Sequence, residues 1–182
     1  MKKRSLGLVG VWVLVASISW GKNYRDSQSG ISLDYDESLW EVAPTKTLEQ
    51  ETLVNFQRKV PDKEGDTTYF SRISVVKDDL SKIKKLKSSK LPKLQAYQNH
   101  AAEFLQSQRF DILSSEKKEL PGVPGGAFQM IARQRDFGLT FQQVGFISGD
   151  TAYLVTATVR TKKYPEYQKE LEQIFQSLKW TP

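Results

Sequence analysis

Apolar and polar positions alternate with two different periods along this chain, and the changes of period mark out its elements. In GISLDYDESLWEV, Ile31, Leu33 and Tyr35 take every second position. The pattern stops at Asp36 to Ser38 and resumes at Leu39 and Trp40, which predicts strand, turn, strand. Residues 51–59 and 69–76 are β-prone apolar runs separated by the turn-rich PDKEGD, and the periodicity is then lost from Lys77 to Pro92. It returns with helical spacing over 93–109, where Leu94, Tyr97, Ala101, Phe104 and Leu105 form one apolar stripe behind Pro92. A strand is expected over 111–118, followed by a rigid turn at LPGVPGG and then three closely spaced strands. Phe128, Met130 and Ala132 alternate in the first of these, and Tyr153, Val155, Ala157 and Val159 in the third. In the middle one, Leu139 and Phe141 are out of phase with Val144 and Phe146, and the slip at Gln142 and Gln143 predicts a β-bulge. A closing helix has Pro165 in its first turn and Tyr164, Tyr167, Leu171, Ile174, Phe175 and Leu178 on one face.

Short links at 136–138 and 148–150 leave no room for crossover helices, so the three late strands form an antiparallel meander rather than a parallel, doubly wound sheet. Two one-sided helices and six to eight half-apolar strands must bury their faces on each other. The expected fold class is α+β, an antiparallel β-sheet with two main helices packed on it.

Four segments carry a resemblance to a known family: the opening GISLDYDESLWEV, the strand GGAFQMIARQRDF, the stretch GFISGDTAYLVTATV and the closing YQKELEQIFQSLKW. Together they span most of residues 30–180 and resemble the PsbP-like superfamily, which includes photosystem II extrinsic proteins, Mog-type Ran-binding proteins and bacterial DcrB-like envelope proteins. The chain departs from the family pattern at Asp36, where proline is usual, and at Leu178, where an aromatic residue is usual. The resemblance implies an α/β/α sandwich and a non-catalytic binding or assembly-assisting module. These segments are packing signatures, so the functional part is analogy.

The amino terminus adds a compartment. Lys2, Lys3 and Arg4 precede an apolar run of 13 residues from Leu6 to Ile18, and Ser17, Ser19 and Gly21 suit a signal-peptidase site. The run is short of the roughly 20 residues that span a bilayer. Residues 1–21 are therefore expected to be a cleaved signal peptide and 22–182 a single exported domain, periplasmic or secreted. Cysteine is absent throughout, which closes the lipoprotein route, disulfide frameworks, thiolate zinc sites and cysteine nucleophiles. Removing the leader also lowers the net charge from +6 to +3, because it carries three cations and no acid.

The remaining charge is uneven. Lys77 to Lys93 holds seven lysines against Asp78 and Asp79, while the rest of the exported part is slightly acidic. Leu80, Ile83, Leu86 and Leu91 are interspersed, so the segment is read as a basic amphipathic turn that could meet anionic headgroups or an acidic protein. Lys82, Lys84, Lys85, Lys87, Lys90 and Lys93 are the candidate partner-binding residues, with a solvated loop as the plainer reading. Nucleic acid is disfavoured by export and by the acidic remainder.

Enzymatic chemistry is narrowed by elimination. His100 is the single histidine, which excludes multi-histidine metal centres, and no GxSxG elbow accompanies it. With Glu103 one turn on, His100 reads as a surface or boundary residue. Asp136-Phe137-Gly138 spells the kinase magnesium motif without its other parts and reads as a hairpin turn, while Gly122, Gly125 and Gly126 lack a P-loop's Lys-Ser ending. Asp34 with Asp36 and Asp78 with Asp79 read as solvated acids, and a calcium site at Asp34, Asp36 and Glu37 lacks the loop pattern. Trp40 and Trp180 read as packing residues. No catalytic residue, metal or cofactor is expected, and the function read here is an exported binding or accessory module acting on a protein or anionic envelope component. The alternative is a small periplasmic hydrolase with an unrecognised acidic site.

Overall fold

The late meander forms the middle of a seven-stranded antiparallel sheet in the computed structural model, which describes residues 21–44, 51–123 and 125–181. All of the expected leader except Gly21 lies outside the described residues. In chain order the strands are β1 (Lys22–Arg25), β2 (Ile31–Tyr35), β3 (Trp40–Ala43), β4 (Glu51–Arg58), β5 (Asp62–Glu64), β6 (Thr67–Tyr69) and β7 (Arg72–Asp79). A 3₁₀ turn (Leu80–Lys82), the one-turn helix α1 (Lys84–Lys87) and the long helix α2 (Lys93–Ser107) follow. Then come β8 (Phe110–Lys118), β9 (Ala127–Gln134), β10 (Leu139–Ser148), β11 (Thr151–Arg160), helix α3 (Tyr164–Ser177) and β12 (Lys179–Trp180).

The large sheet runs in the order β3-β4-β7-β11-β10-β9-β8, and β1, β2 and β12 make a separate three-stranded sheet. The opening strand-turn-strand is therefore not a hairpin: β2 pairs with β1 and β12, whereas β3 joins the edge of the large sheet beside β4. The β10–β11 link is a two-residue turn in which Gly149 takes φ 60°, as tight hairpins require.

Each helix covers one face. Leu171, Ile174 and Phe175 of α3 are buried with Val155, Ala157 and Val159 of β11 and with β2. Each of these side chains except Ala157 contributes about 1.5–3 kcal/mol through burial. On the opposite face, Tyr97 and Leu105 of α2 pack on Phe128, Met130 and Ala132, the alternating residues of β9. Gly145 of β10 lies under this second layer because a Cβ there would stand 2.4 Å from the Phe128 ring.

One predicted irregularity is corrected. β10 pairs continuously with both β9 and β11 through Gln142 and Gln143, with no bulge. The phase slip arises because β10 is central and covered on both sides: Phe141 faces α2's layer, Val144 and Phe146 face α3's. The bulges lie elsewhere, between Thr52 and Val54 in β4 and between Ile112 and Ser114 in β8.

A buried polar clasp fastens α3 to the β3–β4 edge. Glu170 accepts from Trp40 Nε1 and from Arg58 Nη1, the latter at 2.8 Å. The Arg58 guanidinium lies 4.2 Å from the Tyr167 ring centre. Tyr167 in turn donates to Asp62, which also accepts from Ser71 Oγ at 2.9 Å. Burial, reinforced by the Asp62 carboxylate, pushes the Tyr167 phenol up to about 12. Trp40 is thus a core residue, and Trp180 is half-buried with its Nε1 donating to Ser29 O at 2.9 Å, as the packing reading expected.

Candidate functional site

The basic segment begins where β7 ends. Asp79 accepts from Ser81 N at 2.9 Å and caps the 3₁₀ turn, and hydrogen bonds from Ser81 hold its carboxyl below the ordinary range. Leu80 N donates to Asp150 O at 2.9 Å, anchoring the segment to the β10–β11 turn. Leu80 is buried and Ile83 and Leu86 are half-buried against the α2-side core. These apolar residues are thereby turned inward. The amphipathic reading is corrected to that extent: Leu91, 45% exposed, is the apolar side chain of the segment that still faces out.

The six candidate lysines divide into two groups. Lys82 approaches Asp79 at 3.6 Å, Lys85 is paired with Glu103, and Lys93 Nζ bonds Asp150 Oδ1 at 2.8 Å and Gly149 O at 3.0 Å. Lys84, Lys87 and Lys90 are exposed and form no ion pair with any described residue. Lys85 and Lys93 tie the segment to α2 and to the β10–β11 turn, Lys82 pairs within its own turn, and the second group presents charge to water. Glu103, expected one turn from His100, is directed to Lys85 instead, whose hydrogen bond lowers its carboxyl pKa.

A cleft of about 940 Å³ opens between this segment, α2 and the sheet. It exists because α2 packs mainly on β8, β9 and β10 and leaves Ser74 and Val76 of β7 and Thr156 of β11 half-exposed. One register row shows the boundary: Asn55, Ser74, Thr156 and Gln143 lie side by side across β4, β7, β11 and β10, and the next position is Met130, buried under α2. Phe104, on the predicted stripe of α2, is 58% exposed because it overhangs this opening instead of the sheet. Tyr97 donates to Asp78 Oδ2 at 2.5 Å on the cleft wall, and burial, then Asp78, drive its phenol pKa upward, so it stays a donor. Lys77, bonded to Glu51, has its ammonium pKa raised by that contact at the rim. His100 also lines the cleft, with Tyr97 as its ring neighbour at 6.3 Å between centres.

The acids named from sequence have structural duties. Asp34 accepts from Asn23 Nδ2 at 2.7 Å, and Asp36 accepts from both the N–H and the hydroxyl of Ser38, capping the β2–β3 turn. Among the described residues no group of three His, Asp or Glu side chains is placed to hold a metal ion. No described helix is long and apolar enough to cross a membrane. Asp136-Phe137-Gly138 is the β9–β10 hairpin turn, closed by Phe137 N donating to Gln134 Oε1 at 2.6 Å. The cleft itself was not anticipated, since Asp78, Tyr97 and Gln143 come from three distant stretches of chain and none has a motif around it.

No family model and no curated protein sequence matches the chain. Solved structures do. The solution structure of the cyanobacterial PsbP protein CyanoP from Synechocystis is similar with a TM-score of 0.62 at 13% identity, over 97% of this chain and 99% of that one. A Pseudomonas aeruginosa protein of unknown function is similar with a TM-score of 0.56 at 16% identity, over 88% of this chain and 97% of that one. At such identities the likeness speaks for the fold. The three helices on a large antiparallel sheet make an α+β fold of the PsbP-like kind.

Proposed function

We propose that the chain is an exported, non-catalytic accessory module of the bacterial cell envelope that recognises an anionic partner, protein or envelope component, through the charge of the segment from Lys82 to Lys93. The observation that carries this reading is the division among its lysines. Lys84, Lys87 and Lys90 stand exposed and form no ion pair with a described residue, on a backbone held in place by Leu80, Ile83, Leu86 and Lys93. A cationic patch on a fixed support suits charge reading, because little ordering entropy is lost on contact. The inward-turned apolar residues favour surface contact over insertion.

The hydrolase alternative is weakened by the duties of its acids: Asp36 caps a turn, and Asp79 caps the 3₁₀ turn. The accessory reading is tested by binding to isolated envelope fractions and to vesicles of anionic lipid at low and high salt. The variant Lys84→Glu/Lys87→Glu/Lys90→Glu leaves the ion pairs of Lys82, Lys85 and Lys93 intact. Wild type should bind at low salt and release at high salt, and the variant should fail at both. Equal binding by both proteins overturns the reading.

A further inference from the structure

The cleft holds a buried acceptor that no described residue satisfies. Gln143 is only 7% exposed, and its Nε2 donates to Thr156 Oγ1 at 2.8 Å, whereas its Oε1 has no hydrogen-bond partner. A buried acceptor in this state costs free energy and is satisfied by a molecule that brings an N–H or O–H. The surroundings restrict what else that molecule carries. Phe141 and Gly145 are the next residues on the same face of β10, and Thr156 and Met130 are the cross-strand partners, none of them charged. Charge lies at the other end of the cleft, where Lys77 is paired with Glu51 and Lys82 with Asp79. An ion beside Gln143 would shed its water without meeting a counter-charge, so the ligand is neutral there.

The walls at this end are mostly apolar. Phe104 and Leu105 of α2 line the cleft together with Phe141 and Leu154 of the sheet, and Phe110 backs the Phe141 ring at 4.4 Å between centres. A hydroxyl-rich ligand such as a sugar would press several hydroxyls against these side chains, with only Gln143, Thr156 and Ser74 near them to answer. An aromatic ring with a single donor leaves no polar group unpaired, because its faces meet phenylalanine and its N–H meets Oε1. We propose that the cleft binds a small neutral aromatic heterocycle with one N–H donor, of the indole kind, the N–H directed at Gln143 Oε1 and the ring against Phe104 and Phe141. Its volume of about 940 Å³ lies within the roughly 300–1,000 Å³ of small-molecule sites. Lys84, Lys87 and Lys90 do not line it, so the site does not depend on the proposed partner surface.

The test titrates indole and 1-methylindole, the same ring without the N–H, into the full protein by calorimetry, with side-chain NMR shifts to locate the site. Indole should bind saturably, shift the Gln143 amide and Leu154 methyl signals, and bind about tenfold more tightly than 1-methylindole. Gln143→Leu, which removes the acceptor without changing charge, should bring the two ligands to equal affinity, separating the hydrogen bond from the bulk of the added methyl group. Phe104→Ala, at a position 58% exposed, spares the core and should weaken both ligands several-fold. Near-UV circular dichroism like that of wild type establishes that the variants are folded, and the comparison of the two ligands on wild type needs no variant. Absence of saturable binding, shifts outside the cleft, equal affinities for wild type, a preference that persists in Gln143→Leu, or an unchanged affinity in Phe104→Ala each overturns the proposal.

Discussion

Truncating Glu170 tests whether the clasp, rather than apolar burial alone, holds α3 on the β3–β4 edge. Glu170 and Arg58 are 17% and 13% exposed, and the carboxylate serves two donors, Arg58 Nη1 at 2.8 Å and Trp40 Nε1. Glu170→Ala leaves a largely buried guanidinium without its counter-charge and an indole N–H without an acceptor. Removing one partner of a buried pair costs about 3–5 kcal/mol, and the residual exposure here places the loss near the lower end, about 3 kcal/mol. Replacing both charges with Arg58→Met/Glu170→Leu removes the stranded charge and leaves the orphaned indole N–H, a cost of about 1 kcal/mol. The double variant should therefore be more stable than Glu170→Ala. Urea unfolding followed by tryptophan fluorescence reads this directly. With a slope of about 2 kcal/mol per molar urea, Glu170→Ala should lower the midpoint by about 1.5 M. If the Arg58 and Glu170 losses simply add in the double variant, the two groups are not coupled and the reasoning fails.

Two further perturbations follow from local geometry. Gly145→Ala would put a methyl 2.4 Å from the Phe128 ring and 2.8 Å from Leu154 Cδ2, so it should cost about 1–3 kcal/mol. Phe128→Leu in the same chain should recover part of the loss, and an unchanged melting temperature in Gly145→Ala would refute the contact. The hydroxyl and N–H of Ser38 hold the Asp36 carboxyl below its ordinary range. Its stabilisation is thus complete above the unfolded value of about 4 and is lost as pH falls through the lowered folded value. Urea midpoints of wild type and Ser38→Ala should differ at neutral pH and converge in acid, and a gap independent of pH would contradict that origin.

What could be read from sequence is what a single element determines by itself. Tyr153, Val155, Ala157 and Val159 alternate because one face of β11 is dry, and the stripe on α3 repeats because one helix face is buried. Features decided by a neighbour were hidden. Gln142 and Gln143 looked like a bulge, although the sheet around them is regular and only the covering layer changes. The true bulge at Leu113 depends on where β9 sits, and nothing in residues 110–118 announces it. Phe104 belongs to the stripe of α2, yet the seam beneath that helix is narrower than the stripe, so its ring stays out. The lysines were legible as charge. Which of them are neutralised was not, because Glu103 and Asp150 reach them from other elements.

The proposed partner surface is the face bearing Lys84, Lys87 and Lys90. The most direct measurement places a photo-crosslinking side chain at position 87, and separately at the exposed Lys169 on α3, in the full chain expressed in cells. A partner on that surface gives a discrete adduct from position 87, lost when Lys84 and Lys90 are changed to Glu, and none from position 169. Adducts from position 169 with none from position 87 would contradict it.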